Sequence, residues 1–222
     1  MKKIKQILNI ILPSYAYIPI IAMLLLNWLV YFGTRFFTTD MHHYSMYTPL
    51  DEMIPFVPAF ISIYILAYFQ WIFGYGIIAK ENKEIFMRIV IAELIAKALA
   101  LVCFIAIPTT IERPEITGTG FWDTLTACVY NSDAPDNLFP SIHCLESWMC
   151  FRGAMYLKKP GRWYKYASLV FTLLVFASTV FVKQHVVLDM AGAVIFAEIG
   201  MLVSGAFQKR RRTDAKKEEI LS

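Results

Sequence analysis

Charge is scarce in this sequence. Asp, Glu, Lys and Arg together make up 17% of the 222 residues, against 58% hydrophobic ones. A soluble domain cannot cover its surface with so little polar material, so the bilayer is the expected solvent. Cysteine is equally thin: Cys103, Cys128, Cys144 and Cys150 form no C-x-x-C pair and no metal-type spacing. Three of them sit in apolar runs, where Cys behaves as a small hydrophobe, so free thiols are expected in preference to a Cys128–Cys144 disulfide. No dense set of Asp, Glu and His points to a metal centre or another cofactor. Basic residues cluster only at the borders of apolar runs, and no feature of the sequence calls for a nucleic-acid partner. There is no repeat, low-complexity tract or linker, and a single membrane domain is expected. The Met-Lys-Lys start precedes an apolar region without a small-residue cleavage site, so retention is expected rather than removal as a signal peptide.

What the chain has is long apolar runs. Six approach the roughly 20 residues that cross hydrocarbon: 15–33, 56–79, 86–108, 139–157, 165–182 and 185–207. The expected fold is therefore all-α, an integral membrane six-helix bundle. The fourth run is the most polar, because Ser141, His143, Glu146 and Arg152 interrupt it. Over residues 1–14, Ile4, Ile7, Leu8 and Ile11 share a helical face opposite Lys2, Lys5 and Asn9, and Pro13 stops the pattern. That spacing predicts a short interfacial helix. The segment 15–207 is then the six-span domain and 208–222 a basic cytoplasmic tail.

Lys and Arg set the orientation. Fifteen lie at the termini and in the connections near 80–83 and 158–165, whereas the alternate connections hold only Arg35, Arg113 and Lys183. The positive-inside rule then places both termini in the cytoplasm of a multi-pass plasma-membrane protein, with 34–55, 109–138 and 183–185 facing outward.

Ionisable residues inside the spans are costly, and each needs a reason. Glu93 and Lys97, four apart, predict a same-face structural ion pair, and Arg152 and Glu198 are placed to pair across the bundle. The outward helix ends carry a different kind of residue. In "DAPDNLFPSIHCLESWMCF", Pro140 suits a first helical turn, and Ser141 and His143 follow within it. Such a turn offers unpaired N–H groups and the positive end of the helix dipole, which together can hold an anion. In "STVFVKQHVVLDMAG", His185 and Asp189 are four apart. On one helical face, Asp189 would accept the second N–H of the imidazole and leave the other nitrogen as base or nucleophile. In "PTTIERPEITG", Arg113 is a permanent cation with a fork of donors suited to phosphate. Taken singly, each of these also fits a capped helix, a satisfied buried histidine or a headgroup-level arginine.

In combination and in order, these segments resemble the membrane-bound type 2 phosphatidic-acid phosphatase superfamily. The pattern of that family is Lys-x6-Arg-Pro, then Pro-Ser-x-His, then Ser-Arg-x5-His-x3-Asp. Arg113-Pro114 matches the end of the first motif, Pro140-Ser141-Ile142-His143 the second, and Ser178, His185 and Asp189 the third. Ala106 stands at the position of the family's Lys, and Thr179 at that of the Arg after Ser178. The resemblance implies metal-independent cleavage of a lipid phosphate at the extracytoplasmic helix ends. His185 would be the nucleophile, Asp189 its orienting partner, and His143 the acid and then base. Arg113, Ser141 and the opening of the fourth helix would hold phosphate, with Lys183 the candidate to replace the missing cations near Ser178 and Thr179. The implied partners are a lipid phosphate and the bilayer. Transfer to an alcohol, as in sphingolipid- or inositol-phospholipid-synthase relatives, is the alternative within that chemistry. An impaired lipid-binding member and a small transporter are the alternatives outside it.

Overall fold

In hydrocarbon every backbone N–H and C=O must find a partner within the protein, and apolar runs of spanning length meet that demand as helices. The computed structural model describes residues 12–221, with side chains to Arg210. It is 74% helical. The expected interfacial helix over 1–14 lies almost wholly outside the described residues.

The first span begins in a 3-10 turn, Ser14–Ala16, and runs through α1 (Tyr17–Trp28), a wide π turn (Leu29–Gly33) and α2 (Arg35–Thr38). Two residues of extended chain follow, β1 (Tyr44–Ser45), and then a short turn of helix, α3 (Pro49–Glu52), boxed by Thr48 and Asp51. Next come α4 (Ile61–Glu81) and α5 (Lys83–Ala106). The Asn82 side chain caps α5 by accepting from Ile85 N at 3.0 Å, and Pro108 forbids its continuation. The connection after α5 holds β2 (Thr109–Thr110) and the helix α6 (Phe121–Ser132). Then follow α7 (Ile142–Tyr156), α8 (Arg162–Phe181) and α9 (Val187–Leu221). The expected basic tail from 208 continues α9 without a break.

Among the described residues, five stretches are long and apolar enough to cross a membrane: Ser14–Thr38, Pro58–Glu81, Lys83–Ala106, Arg162–Phe181 and Val187–Arg210. Large apolar side chains such as Ile18, Phe69, Ile72, Leu173, Ile195 and Leu202 are exposed along them, which a lipid-facing surface explains and an aqueous one does not. The fourth apolar run behaves differently. It yields only the 15 residues of α7, about 22 Å at 1.5 Å per residue, and eight of them are buried. This helix packs against α4, α5, α8 and α9. Its polar residues are therefore shielded by other helices instead of meeting lipid, which is why hydropathy marks it so weakly.

Between helices in lipid, close approach of small residues replaces the hydrophobic drive. A Cβ at Gly200 would lie 2.2 Å from the Ala92 carbonyl oxygen, so glycine there sets the contact between α9 and α5. Buried Ala92, Ala96, Ala193 and Ala197 continue the same seam. The expected ion pairs are present within the bundle. Lys97 Nζ lies 2.6 Å from Glu93 and 2.5 Å from Glu146, and Arg152 lies 2.8 Å from Glu198.

The loops gather at one end of the bundle. There β1 pairs with β2 in parallel, Tyr44 opposite Thr109, and Thr109 Oγ1 accepts from the backbone N–H groups of Leu138 and Phe139, both at 2.9 Å. Asn137 donates to Thr34 and Thr38, and Ser141 N donates to the Asp189 carbonyl at 3.1 Å. These bonds draw the ends of five elements around one space.

Candidate active site

The approach to α9 is a tight turn. The chain leaves α8 at Phe181 and reverses through Lys183 at φ 50, a left-handed conformation that costs a non-glycine residue roughly 1 kcal/mol. The Gln184 and His185 backbone N–H groups both return to the Thr179 carbonyl, at 2.9 and 3.1 Å. Since α9 begins at Val187, His185 and Asp189 do not meet on a helical face as their spacing suggests. They meet across the cap: Asp189 Oδ2 accepts from Val186 N at 3.0 Å and lies 3.0 Å from His185 Nδ1. Asp189 is fully buried. A carboxylate at Nδ1 selects the tautomer with its proton there and leaves the Nε2 lone pair free.

His143 occupies the first turn of α7, whose N-cap is Ser141, with Oγ accepting from Cys144 N at 3.3 Å. The imidazole stacks on Tyr64 with ring centroids 4.0 Å apart and meets Tyr68 and Trp71 edge-on. Its Nε2 has no hydrogen-bond partner among the described residues. His143 and His185 line one cavity of about 500 Å³, whose wall also includes Asp133, Asp136, Gln184 and Tyr64. Residues 42 positions apart in the chain are thereby brought to one space.

The other expected phosphate-holding residues are placed elsewhere. Arg113 is not on the cavity wall. Its Nη1 donates to the carbonyls of Asp133 (2.5 Å) and Tyr130 (3.3 Å), its Nη2 donates to Gln184 Oε1, and the guanidinium lies over the Tyr130 ring. Lys183 turns outward, donating to the carbonyls of Asp51 (2.9 Å) and Ile54 (2.6 Å). Asp51 in turn accepts from Val187 N at 2.8 Å, so Lys183 and Asp51 strap the 48–54 turn onto the start of α9. Ser178 and Thr179 are fully buried and return their hydroxyls to Val175 and Phe176. Thr179 Oγ1 lies 3.7 Å from Cys144 Sγ, and all four cysteines are free. Ala106, in the family's lysine position, is exposed at the end of α5.

Three residues that the sequence did not mark as site residues stand on the cavity wall or are bonded to it. Arg35, at the end of the first span, reaches Asp136 at 2.8 Å, Asp133 at 3.6 Å and the Tyr31 hydroxyl at 2.9 Å. Burial pushes the Asp133 carboxyl up to about 6; nearby His185 opposes that rise and Asp136 adds to it. Gln184 is 1% exposed, and while its Oε1 serves Arg113, its Nε2 has no partner among the described residues. Only adjacency to His185 could have drawn attention to Gln184 in the sequence, and nothing there ties it to Arg113, 71 positions away.

The arrangement pairs an oriented imidazole with a second imidazole, two carboxylates and aromatic rings, in a space closed by apolar helices. Compared with protein-family models, with curated proteins and with solved structures, the chain matches none significantly.

Proposed function

We propose that this chain is a metal-independent lipid phosphate phosphatase working through a phosphohistidine, in keeping with its resemblance to the type 2 phosphatidic-acid phosphatases. The observation that carries this reading is the His185–Asp189 contact at 3.0 Å on the wall of a cavity that His143 shares. His185 Nε2 attacks phosphorus, the bond from phosphorus to the lipid oxygen breaks, and His143 gives that oxygen its proton. Water then attacks the phosphohistidine, His143 takes the proton from the water, and phosphate leaves. Asp189 holds the ring and stabilises the charge it acquires. In this reading α7 is a sixth, sheltered crossing, both termini are cytoplasmic, and the cavity faces outward at the headgroup level. Phosphate then meets the histidines while the hydrocarbon stays among the helices.

One observation favours a second reading, transfer to an alcohol. Asp133 and Asp136 put two carboxylates on the same wall, where they can accept from an incoming hydroxyl group. Both readings are tested by assaying purified protein in EDTA against phosphomonoester and pyrophosphate lipids, with and without an added alcohol, and by measuring free phosphate and new phosphodiesters. Activity in the wild type, its loss in His185→Ala and a residual rate in Asp189→Asn are expected. Full turnover by folded His185→Ala would remove the phosphohistidine.

A further inference from the structure

Arg113 can only donate hydrogen bonds, and this fixes the orientation of the amide it touches. The Gln184 atom facing its Nη2 must be the carbonyl oxygen, so the NH2 group faces the other way. The reversed amide would set donor against donor. The NH2 group is buried without a partner in a residue of the cavity wall, directly before His185. An unpaired buried donor of this kind costs roughly 1–3 kcal/mol. Arg113 is itself secured on the carbonyls of Asp133 and Tyr130, so the amide is held from behind.

We infer that Gln184 is a phosphoryl-oxygen donor of this site and that Arg113 acts through it as a positioning residue. The inference rests on the phosphoryl-transfer reading above. It accounts for how a cavity wall without lysine or arginine among the described residues could hold a phosphoryl group: a neutral donor, oriented in advance, stabilises a developing oxyanion without a charge of its own. It also accounts for why Arg113, the residue that matches the family motif, is not on the cavity wall. The ligand is a phosphoryl group or its trigonal-bipyramidal analogue, with one non-bridging oxygen on the Gln184 amide and the phosphorus within reach of His185.

The test is binding of orthovanadate to the full-length protein in detergent by titration calorimetry, with melting temperature as the control for folding. Gln184→Glu keeps the size and the oxygen that faces Arg113, and it replaces the NH2 group with a second carboxylate oxygen. It is expected to fold and to bind vanadate at least tenfold more weakly, a floor set below the roughly hundredfold cost of losing one such donor in catalysis. Affinity within twofold of wild type would overturn the assignment, provided His185→Ala has lost binding. Equal vanadate binding by wild type and His185→Ala, or none by either, would instead overturn the phosphoryl-transfer reading and this inference with it. A cycle of Arg113→Met with Gln184→Met separates positioning from direct contact. If Arg113 acts through the amide, its removal weakens binding in the Gln184 protein and changes it less than twofold in Gln184→Met. The same loss in both backgrounds would put the guanidinium itself on the ligand.

Discussion

Lys97 is 1% exposed in the middle of the bundle, with its ammonium 2.6 Å from Glu93 and 2.5 Å from Glu146. Tyr75 closes the cluster: its hydroxyl contacts Glu93 Oε2 and lies 2.7 Å from Glu146 Oε2. A phenol has one proton to donate, so it satisfies only one of these two carboxyl oxygens. The other contact needs a proton on the carboxyl side. On that count the cluster would hold one ammonium, one carboxylate and one carboxylic acid, with no net charge, the arrangement that a site surrounded by hydrocarbon favours. Lys97→Met leaves a carboxylate buried and unpaired, at a cost of roughly 3–5 kcal/mol. For a chain of this length such a loss lowers the melting temperature by about 10 °C or more. Glu93→Gln and Glu146→Gln, taken singly, keep one ammonium against one carboxylate and replace an acid by an amide that can also donate, so each should cost about 1 kcal/mol or less. Melting of the purified variants, followed by cysteine-reactive or tryptophan fluorescence, distinguishes the two outcomes. A single glutamine substitution as damaging as Lys97→Met would mean that both carboxyls are ionised and would refute the proton count.

Three other substitutions bear on the end of the bundle that holds the cavity. Asp133 is pushed up to about 6 from 3.8, so its carboxyl contributes stability that is fully present below about 3.8 and fades as pH rises through about 6. The wild-type melting temperature should accordingly fall further between pH 5 and pH 7.5 than that of Asp133→Asn, and equal slopes would contradict the shift. Lys183→Met removes the strap to the carbonyls of Asp51 and Ile54 and should cost on the order of 1.5–3 kcal/mol in stability. Weaker vanadate binding with unchanged melting would place that ammonium on the ligand instead. Thr179→Arg, which introduces the arginine of the phosphatase motif, would force a guanidinium into a fully buried position beside Cys144. A loss of folded protein by size-exclusion chromatography is expected, and a folded, more active variant would contradict this packing.

The spans were legible because hydrocarbon imposes its demand locally. The runs 56–79 and 165–182 return as Pro58–Glu81 and Arg162–Phe181, within three residues at either end. The polar fourth run yielded a helix too short to be counted by hydropathy, since its surroundings are helices and not lipid. The helix α6 and the β1–β2 pair went unseen for a different reason. Neither forms an apolar run, and a two-residue strand has no period to detect.

The site divides along the same line between local and distant. Four-residue spacing was enough to pair His185 with Asp189, although the contact is made by a cap and not by a helical face. Which side chains stand free to bind at the cavity was not legible, because a motif records residue type and the chemistry depends on what the side chain already touches. Arg113 matches a motif and Lys183 carries a nearby charge, yet four carbonyls and a glutamine hold the Arg113 Nη donors and the Lys183 ammonium. Gln184 carries neither signal and is the one of the three that lines the cavity, with its Nε2 unpaired among the described residues. In the proposed site, a neutral donor held in place by Arg113 would take the role of a second charge. Beside Asp133 and Asp136 it has a further advantage: it cannot be neutralised by pairing with them.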